Sequence, residues 1–435
     1  MISTGKPSTP GTARPRAGVI GSGVAGLTAA YLLQRRYDVT IFEADDRLGG
    51  HAHTHDVPTP DGRLLPIDSG FIVHNERTYP YLLKLFGELG VATQPTEMSM
   101  SIRCDGCGLE YAGGRGLAGV FAQRRRLADA RYVRLLVDVK RFHRRARALL
   151  AQDPEATSAV NLGTFLADGH YSSYFVRHFM VPVVSCVWSA GTDVTMRYPA
   201  RYLFQFLDNH GMLSVKASPA WRTVVGGSRS YVDRAVKSLT AVETLAPVTS
   251  LRRNGEGIEI RDAADVVHHV DAAVVATHPD QALRLIAEPT ADERQVLGAF
   301  QYTRNETLLH TDASVLPTVA GARASWNYLM SACDQRSDRV VVSYWMNRLQ
   351  QMDEPIDYVV SLNAGNRVCD RSVLGRMVYE HPQYTAESVA AQRRLPELSS
   401  HRLAFAGAYH GWGFHEDGCA SGVRAAKALG VSWNT

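Results

Sequence analysis

The sequence predicts an α/β protein of two interleaved lobes, on three observations. A strand, glycine loop, helix and second strand follow one another across residues 17–43. Further short apolar strands recur at 272–277 and 403–407. At 435 residues the chain is too long for one ordinary core.

Residues 1–16, rich in Ser, Thr, Pro and Gly without an apolar stretch, read as a disordered tail and not a signal peptide. Ala17-Gly18-Val19-Ile20 reads as a short buried strand. Gly21-Ser22-Gly23-Val24-Ala25-Gly26 follows, then a helical run from Leu27 to Arg36, then the strand Asp38–Phe42 ending at Glu43. This order is the one a Rossmann-type dinucleotide site requires. Gly21 permits the tight turn, Gly23 lets the backbone approach a pyrophosphate, and Gly26 lets helix and strand pack closely. The helix N-terminus, from Ser22 through Val24 and Ala25, offers N–H groups and a positive dipole end to phosphates. Glu43 can accept both ribose hydroxyl protons and would repel a 2′-phosphate, which argues against an NADP-type ligand.

The segment Glu43-Ala44-Asp45-Asp46-Arg47-Leu48-Gly49-Gly50 resembles the extended fingerprint of FAD enzymes in the flavin-containing amine oxidase and phytoene desaturase superfamily. The resemblance implies FAD, with Arg47 as a cation for the pyrophosphate and Ala44, Gly49, Gly50 and His51 lining the cofactor. Pro66–Val73 resembles the superfamily's Asp-x-Gly segment, which brings Gly70 over the isoalloxazine. Trp221–Ser228, with Gly226-Gly227, resembles the return to the FAD lobe, and Pro247–Ser250 fits the strand that contacts adenine, with Val248 the expected contact. Asn254-Gly255 marks a hairpin turn, and Ala272–Thr277 reads as a buried strand that brings Ala276 near the phosphates. Leu403–Gly407 is a strand and glycine, and Gly418–Gly422 is expected to open a terminal helix whose N-terminus faces the flavin. Gly407, Asp417, Gly418 and Cys419 are thereby expected at the cofactor, Cys419 at a position where a covalent tether could form. Two departures stand out: Ala408-Tyr409 replaces the acid common in amine oxidases, and Glu416-Asp417-Gly418 replaces Glu-Gly-Ala.

Further segments, among them Asn209-His210-Gly211, Tyr344–Leu349 and Phe414–Gly418, are similar to a bacterial subgroup of predicted NAD/FAD-binding proteins. That subgroup is similar to the N-terminal flavin domain of plant cyclopropane fatty acid synthases, which implies a lipid acyl chain as substrate. The FAD lobe is expected from 17–75, 223–285 and 400–430. A substrate lobe of mixed sheet plus helices is expected from 76–222 and 286–399.

The composition, 45% apolar and 21% charged, describes a soluble globular protein, and no apolar run is long enough to span a bilayer. Six scattered cysteines fit a reducing compartment, and a cytoplasmic protein is expected, with a peripheral place on the inner membrane face as the further option. Residues 124–147 hold ten Arg or Lys against Asp129 and Asp138, a local excess of +8 in a chain of net charge +4, so the remainder carries −4. Leu135, Val139, Phe142, Ala146 and Leu149 give that stretch helical spacing. It reads either as a face for an anionic membrane or as a solvated helix, and no nucleic-acid motif accompanies it. No metal is expected: Cys104 and Cys107 form a lone CxxC read as a hairpin turn through Asp105-Gly106, and His51, His53 and His55 read as a loop passing the flavin.

Aromatic residues crowd 161–222 and read mostly as core, with a cavity lining as the other reading. Trp412 and Phe414 are expected to wall a dry slot beside the flavin, and His410 or His415 to take a proton there. Many amine oxidases place a lysine beneath flavin N5. The strand that resembles its carrier, Tyr302–His310, has none, and Glu306 cannot supply the same cation. The reading is therefore hydride transfer from an apolar, acyl-chain substrate, by desaturation or double-bond isomerisation. The alternatives are an amine oxidase, or a non-catalytic FAD-bearing partner of a lipid-modifying enzyme.

Overall fold

A computed structural model describes residues 14–433, except 190, 215–217 and 335–339. Most of the expected tail thus lies outside the described residues. Arg16 belongs to the first strand, and Arg14 donates to the Tyr37 carbonyl at 2.9 Å.

The first lobe is built on a five-stranded, all-parallel sheet in the order Ala241–Glu243, Asp38–Phe42, Arg16–Ile20, Ala272–Val275, Leu403–Phe405. Its strands come from three distant parts of the chain, and buried parallel strands of this kind are short apolar runs. Helices Val24–Leu33, Pro80–Leu89, Arg229–Val236 and His415–Ala428 cover one face. An antiparallel meander, Val248–Arg253, Ile258–Asp262 and Val267–Val270, covers the other. The Asn254-Gly255 hairpin lies between its first two strands.

Two boundaries, near the glycine loop and after residue 75, differ from the sequence reading. The glycine-loop helix runs from Val24 to Leu33, three residues early at both ends, because Gly23 itself is its N-cap. Helix Pro80–Leu89, assigned from sequence to the second lobe, packs Leu82, Leu85 and Phe86 into the first lobe's core. Its N-terminus is closed by a distant acid: Glu416 accepts from the Tyr81 and Leu82 amides at 3.0 and 2.9 Å. A carboxylate on first-turn N–H groups satisfies donors the helix cannot. Burial nonetheless raises the Glu416 pKa to about 7.

The second lobe is a seven-stranded mixed sheet in the order Val373–Gln383, Gln301–His310, Val359–Leu362, Val341–Trp345, Trp326–Met330, Met100–Cys104, Leu109–Gly113. A helical cap from residues 116–209 packs on it, and Phe165, Phe175, Trp188, Tyr198, Phe204 and Phe206 are core residues. The basic segment is divided by Asp129, which caps the helix Ala130–Leu150 through the Arg131 and Tyr132 amides. Tyr132, Leu135, Phe142, Ala146 and Leu149 form its buried stripe. Arg134 and Arg141 both reach the buried Asp138.

Met100–Cys104 and Leu109–Gly113 pair as the expected hairpin. The expectation that its two thiols stand alone is corrected: the fold brings His178 and Cys333 to them, with the four ligand atoms all within 4.8 Å of one another. Among the described residues no helix is long and apolar enough to cross a membrane.

Candidate functional site

The glycine loop shows why each glycine is there. A Cβ on Gly26 would lie 2.0 Å from the Gly21 carbonyl oxygen, so helix and loop could not close. Gly21, at φ +97°, turns the chain beside the Ala276 carbonyl. A Cβ on Gly23 would meet nothing within 4 Å, so open space lies directly before the helix N-terminus. The Arg47–Gly50 segment crosses this loop. Gly49 bridges Gly23, Gly50 at φ +57° rests on it, and Arg47 donates to the Gly50 carbonyl at 2.8 Å. Ser22 holds Glu43 at the rim, donating to its Oε2 from N at 2.9 Å and from Oγ at 2.5 Å. Ala44 follows on the exposed surface. The Ala246 amide donates to the Glu43 carbonyl at 2.9 Å, which carries Val248 toward the same rim.

Asp68 ties the return segments together. Its carboxylate, 1% exposed, accepts from Thr54 Oγ1 at 2.6 Å and from Ser228 N and Oγ at 2.9 and 2.7 Å. Burial raises its pKa to about 6. Gly70 lies against His51, where a Cβ would stand 2.2 Å from the carbonyl oxygen, and the Phe71 amide donates to that oxygen at 2.7 Å. The three histidines of the 51–55 run part company. His53 and His55 join a hydrogen-bonded series with Tyr379 and Ser69, at 3.0 Å for His53–Tyr379, 2.6 Å for Tyr379–Ser69 and 2.8 Å for Ser69–His55. His51 faces His381, with ring centroids 5.7 Å apart.

At the C-terminal end, helix His415–Ala428 begins three residues before the expected opening at Gly418. Gly418 and Gly422 then sit at its contact with the glycine-loop helix. A Cβ on Gly418 would meet Val24 Cγ1 at 2.6 Å, and one on Gly422 the Ala25 carbonyl oxygen at 2.4 Å. Gly407 ends its strand, and its amide donates to Ser421 Oγ at 2.8 Å. Two of the expected cofactor residues have other occupations. Asp417 caps its own helix, accepting from the Phe414 amide at 2.9 Å, and burial raises its pKa to about 6. Cys419 is turned into the contact between the two helices, where Thr28 Oγ1 donates to its sulfur at 3.4 Å. Burial pushes that thiol well above the ordinary range.

Four expected catalytic residues lie on the loop and first turn between Gly407 and Gly418. Trp412 and Phe414 pack against the helical cap: Phe414 stacks on Phe206 at 5.0 Å, and Trp412 lies 6.0 Å from the Tyr202 ring. Trp188 Nε1 donates to the Trp412 carbonyl at 2.9 Å. Tyr202 and Gln392 hold the turn, both donating to the Gly411 carbonyl, at 2.7 and 2.6 Å. His410 and His415 both lie largely out of water. Burial drops both to about 3, so each is a neutral imidazole at pH 7. His415 stacks on Phe71 at 3.7 Å and its Nε2 lies 3.0 Å from the Tyr231 hydroxyl. His410 Nε2 is buried and has no hydrogen-bond partner among the described residues.

The sequence reading passed over a second group of residues around the site. His278 stacks on Tyr302 at 4.0 Å, and His381, bonded to Asn305 at 3.1 Å, stands two positions from Tyr379 on the same strand face. Burial lowers the pKa of His51, His381 and His278; His381 and His278 lower His51 further and His278 lowers His381, while Glu380, 3.2 Å from His278 Nδ1, opposes the shift there. The Tyr-x-His alternation at 379–381 was the available signal.

The residues present fit a dinucleotide cofactor. Two helix N-termini approach one another, an acid stands at the rim, open space faces Gly23, and the buried His51 Nε2 lacks a protein partner among the described residues. Comparison with known proteins identifies the cofactor type. The family model for flavin-containing amine oxidoreductases matches residues 24–430. The chain is similar in structure to cyclohexylamine oxidase from Brevibacterium oxydans IH-35A, at 16% identity and TM-score 0.66, covering 96% of this chain and 98% of that one. It is also similar to a CLA-producing fatty acid isomerase from P. acnes, at 16% identity and TM-score 0.65, covering 94% and 97%. At such identities the likeness shows the fold. A curated relative, tryptophan 2-monooxygenase from Allorhizobium ampelinum, is 54% identical over 46 residues, which are 10% of this chain and 6% of that protein. With nearly the whole chain matched, the protein belongs to the flavin-containing amine oxidoreductase family and is an FAD-dependent oxidoreductase.

Proposed function

We propose that the protein takes hydride from an apolar, acyl-chain substrate, with desaturation or double-bond isomerisation as the outcome. The observation that carries this reading is the aromatic junction between the lobes, where Trp412 and Phe414 meet Tyr202 and Phe206. FAD bound at the site supplies a two-electron acceptor for hydride. The aromatic residues hold the chain and exclude water, and a carbon must sit about 3–3.5 Å from its acceptor for transfer. In a desaturation the proton that leaves the neighbouring carbon needs an acceptor, and the buried His410 Nε2, unpartnered among the described residues, is the candidate group beside Trp412. Gln392 and Tyr202 keep that loop in place. The strand Gln301–His310 carries no lysine, and the fatty acid isomerase with this fold adds support.

The test is anaerobic stopped-flow reduction of the purified flavoprotein with a panel of acyl lipids and a panel of amines. Flavin bleaching by lipid, or a shifted double-bond pattern in recovered lipid, is the expected result. Fast bleaching by an amine with none by any lipid overturns the proposal in favour of an amine oxidase. A redox-silent lipid with unchanged double bonds favours a non-catalytic FAD-bearing partner.

A further inference from the structure

We propose that Cys104, Cys107, His178 and Cys333 form a structural zinc site in the substrate lobe. These residues lie outside the flavin site, and none of them takes part in the chemistry proposed above. The Sγ atoms of Cys104 and Cys333 are 3.6 Å apart, as are Cys107 Sγ and His178 Nε2, and no pair of the four ligand atoms exceeds 4.8 Å. Zinc binds thiolate at about 2.3 Å and imidazole at about 2.0–2.1 Å in a tetrahedron, whose edges are then about 3.5–3.8 Å. The four atoms therefore surround a point where zinc fits after small side-chain adjustments. Three thiolates and one imidazole are a common donor set for structural zinc, and a closed set of four leaves no position for substrate.

The surroundings are those of a ligating cluster. Cys104-Asp105-Gly106-Cys107 is a tight turn between two strands. The Cys107 amide donates to the Cys104 sulfur and the Leu109 amide to the Cys107 sulfur. Such N–H···S bonds steady thiolates. Gly106 lets the third cysteine approach, because a Cβ there would stand 2.9 Å from Ala332 Cα and 3.0 Å from the Cys333 amide nitrogen. His178 is fully buried, on a π-helical turn spanning Val176–Met180. Its Nδ1 lies 3.1 Å from the Tyr174 carbonyl, so Nδ1–H donates there and Nε2 is left with its lone pair toward the sulfurs. The Tyr174 hydroxyl stands 3.6 Å from Cys107 Sγ. Zinc with three thiolates carries a net charge of −1. Arg126 offsets it, donating to the Cys107 carbonyl at 2.8 Å, as does Arg131 over the Tyr174 ring. Part of the basic charge of residues 124–147 thus has a local use.

The site's effect is to fasten three remote segments: the hairpin, the helical cap at His178, and the turn after Trp326–Met330. His178 is 71 positions from Cys107, and Cys333 is 229 from Cys104. Closing such long loops constrains the unfolded chain strongly.

The test is metal analysis of the full-length flavoprotein, purified without chelator, with flavin content measured in parallel. About one zinc per chain is expected, falling about tenfold in Cys107→Ser and in Cys333→Ser and unchanged in Cys369→Ser, an exposed control. Replacing zinc with Co(II) should produce thiolate-to-cobalt charge transfer and the intense visible bands of a tetrahedral site. If the serine variants fail to fold, wild-type protein answers the question. Stripping with a mercurial should release zinc stoichiometrically and lower the melting temperature. Reduced wild-type protein that retains no zinc after incubation with Zn(II) and desalting overturns the proposal. So does a disulfide mapped within this cluster in freshly purified protein, or stoichiometric iron in place of zinc. None of these readouts depends on the flavin reaction.

Discussion

Gly23 and Gly26, three residues apart, should separate folding from cofactor binding. In Gly26→Ala the new methyl stands 2.0 Å from the Gly21 oxygen and 3.2 Å from Ala276 Cβ. Unbonded carbon and oxygen settle beyond about 3 Å, so the loop must open by about 1 Å against backbone that cannot rotate away. Overpacking of this kind costs about 1–3 kcal/mol, here at the upper end, and the better helix propensity of alanine returns about 1 kcal/mol. The net loss is about 2 kcal/mol. With an unfolding entropy of about 2 cal/mol/K per residue over 435 residues, the melting temperature falls by about 2 °C. Gly23→Ala has an ordinary backbone, φ −62° and ψ 173°, and open space at Cβ. It costs the apo-protein only about 0.5 kcal/mol as a poorer N-cap, but its methyl fills the space where a pyrophosphate must approach. The assay is thermal unfolding of flavin-stripped protein, together with flavin absorbance retained after desalting. Gly23→Ala should melt within about 0.5 °C of wild type and lose flavin. Full flavin retention in Gly23→Ala, or an unchanged apo melting point in Gly26→Ala, would refute this account of the loop.

Glu43→Arg should release FAD on desalting, because it removes the ribose acceptor that Ser22 positions; unchanged flavin absorbance would place the ribose elsewhere. Acidification should destabilise the protein. Burial holds His381, His410 and His415 at about 4, 3 and 3, so their contribution is complete above about pH 6.5 and is lost as the pH falls toward those values, at about 1.4 kcal/mol each by pH 5.5. Asp68, Asp417 and Glu416, raised to about 6, 6 and 7, act in the opposite sense, stabilising most below about pH 4 and losing that contribution as the pH rises through 6–7. His74, His143, His210 and His310 are depressed as well, which tips the balance, and a melting temperature that rises from pH 7 to 5.5 would contradict it. The outer face of the basic helix, where Val133 and Val137 lie exposed beside Lys140 and Arg144, should bind anionic vesicles at low salt and release them as salt rises; co-sedimentation equal on neutral and anionic lipid would leave a solvated helix.

What could be read from the chain alone was local. Gly21–Gly26 works within a few residues, and Glu43 and Arg47–Gly50 return to it within one strand–helix–strand unit, so their spacing in sequence is already their geometry. The strands at 17–20, 272–275 and 403–405 were legible because a buried parallel strand must be a short apolar run. Only the tertiary structure decided matters that depend on which distant side chains meet. Cys419 lies one residue from Gly418, yet which way its thiol faces depends on the glycine-loop helix nearly 400 positions away. Asp417 and Glu416 are adjacent acids, but one closes its own helix and the other closes Pro80–Leu89. His51, His278 and His381 are unremarkable singly, and their pKa values fall only when the folded chain takes them largely out of water. The CxxC seemed isolated because its partners are carried by a helical turn and a strand end, and no spacing rule spans such distances. Burial and long-range contact create these properties, and both arise only when the chain closes on itself.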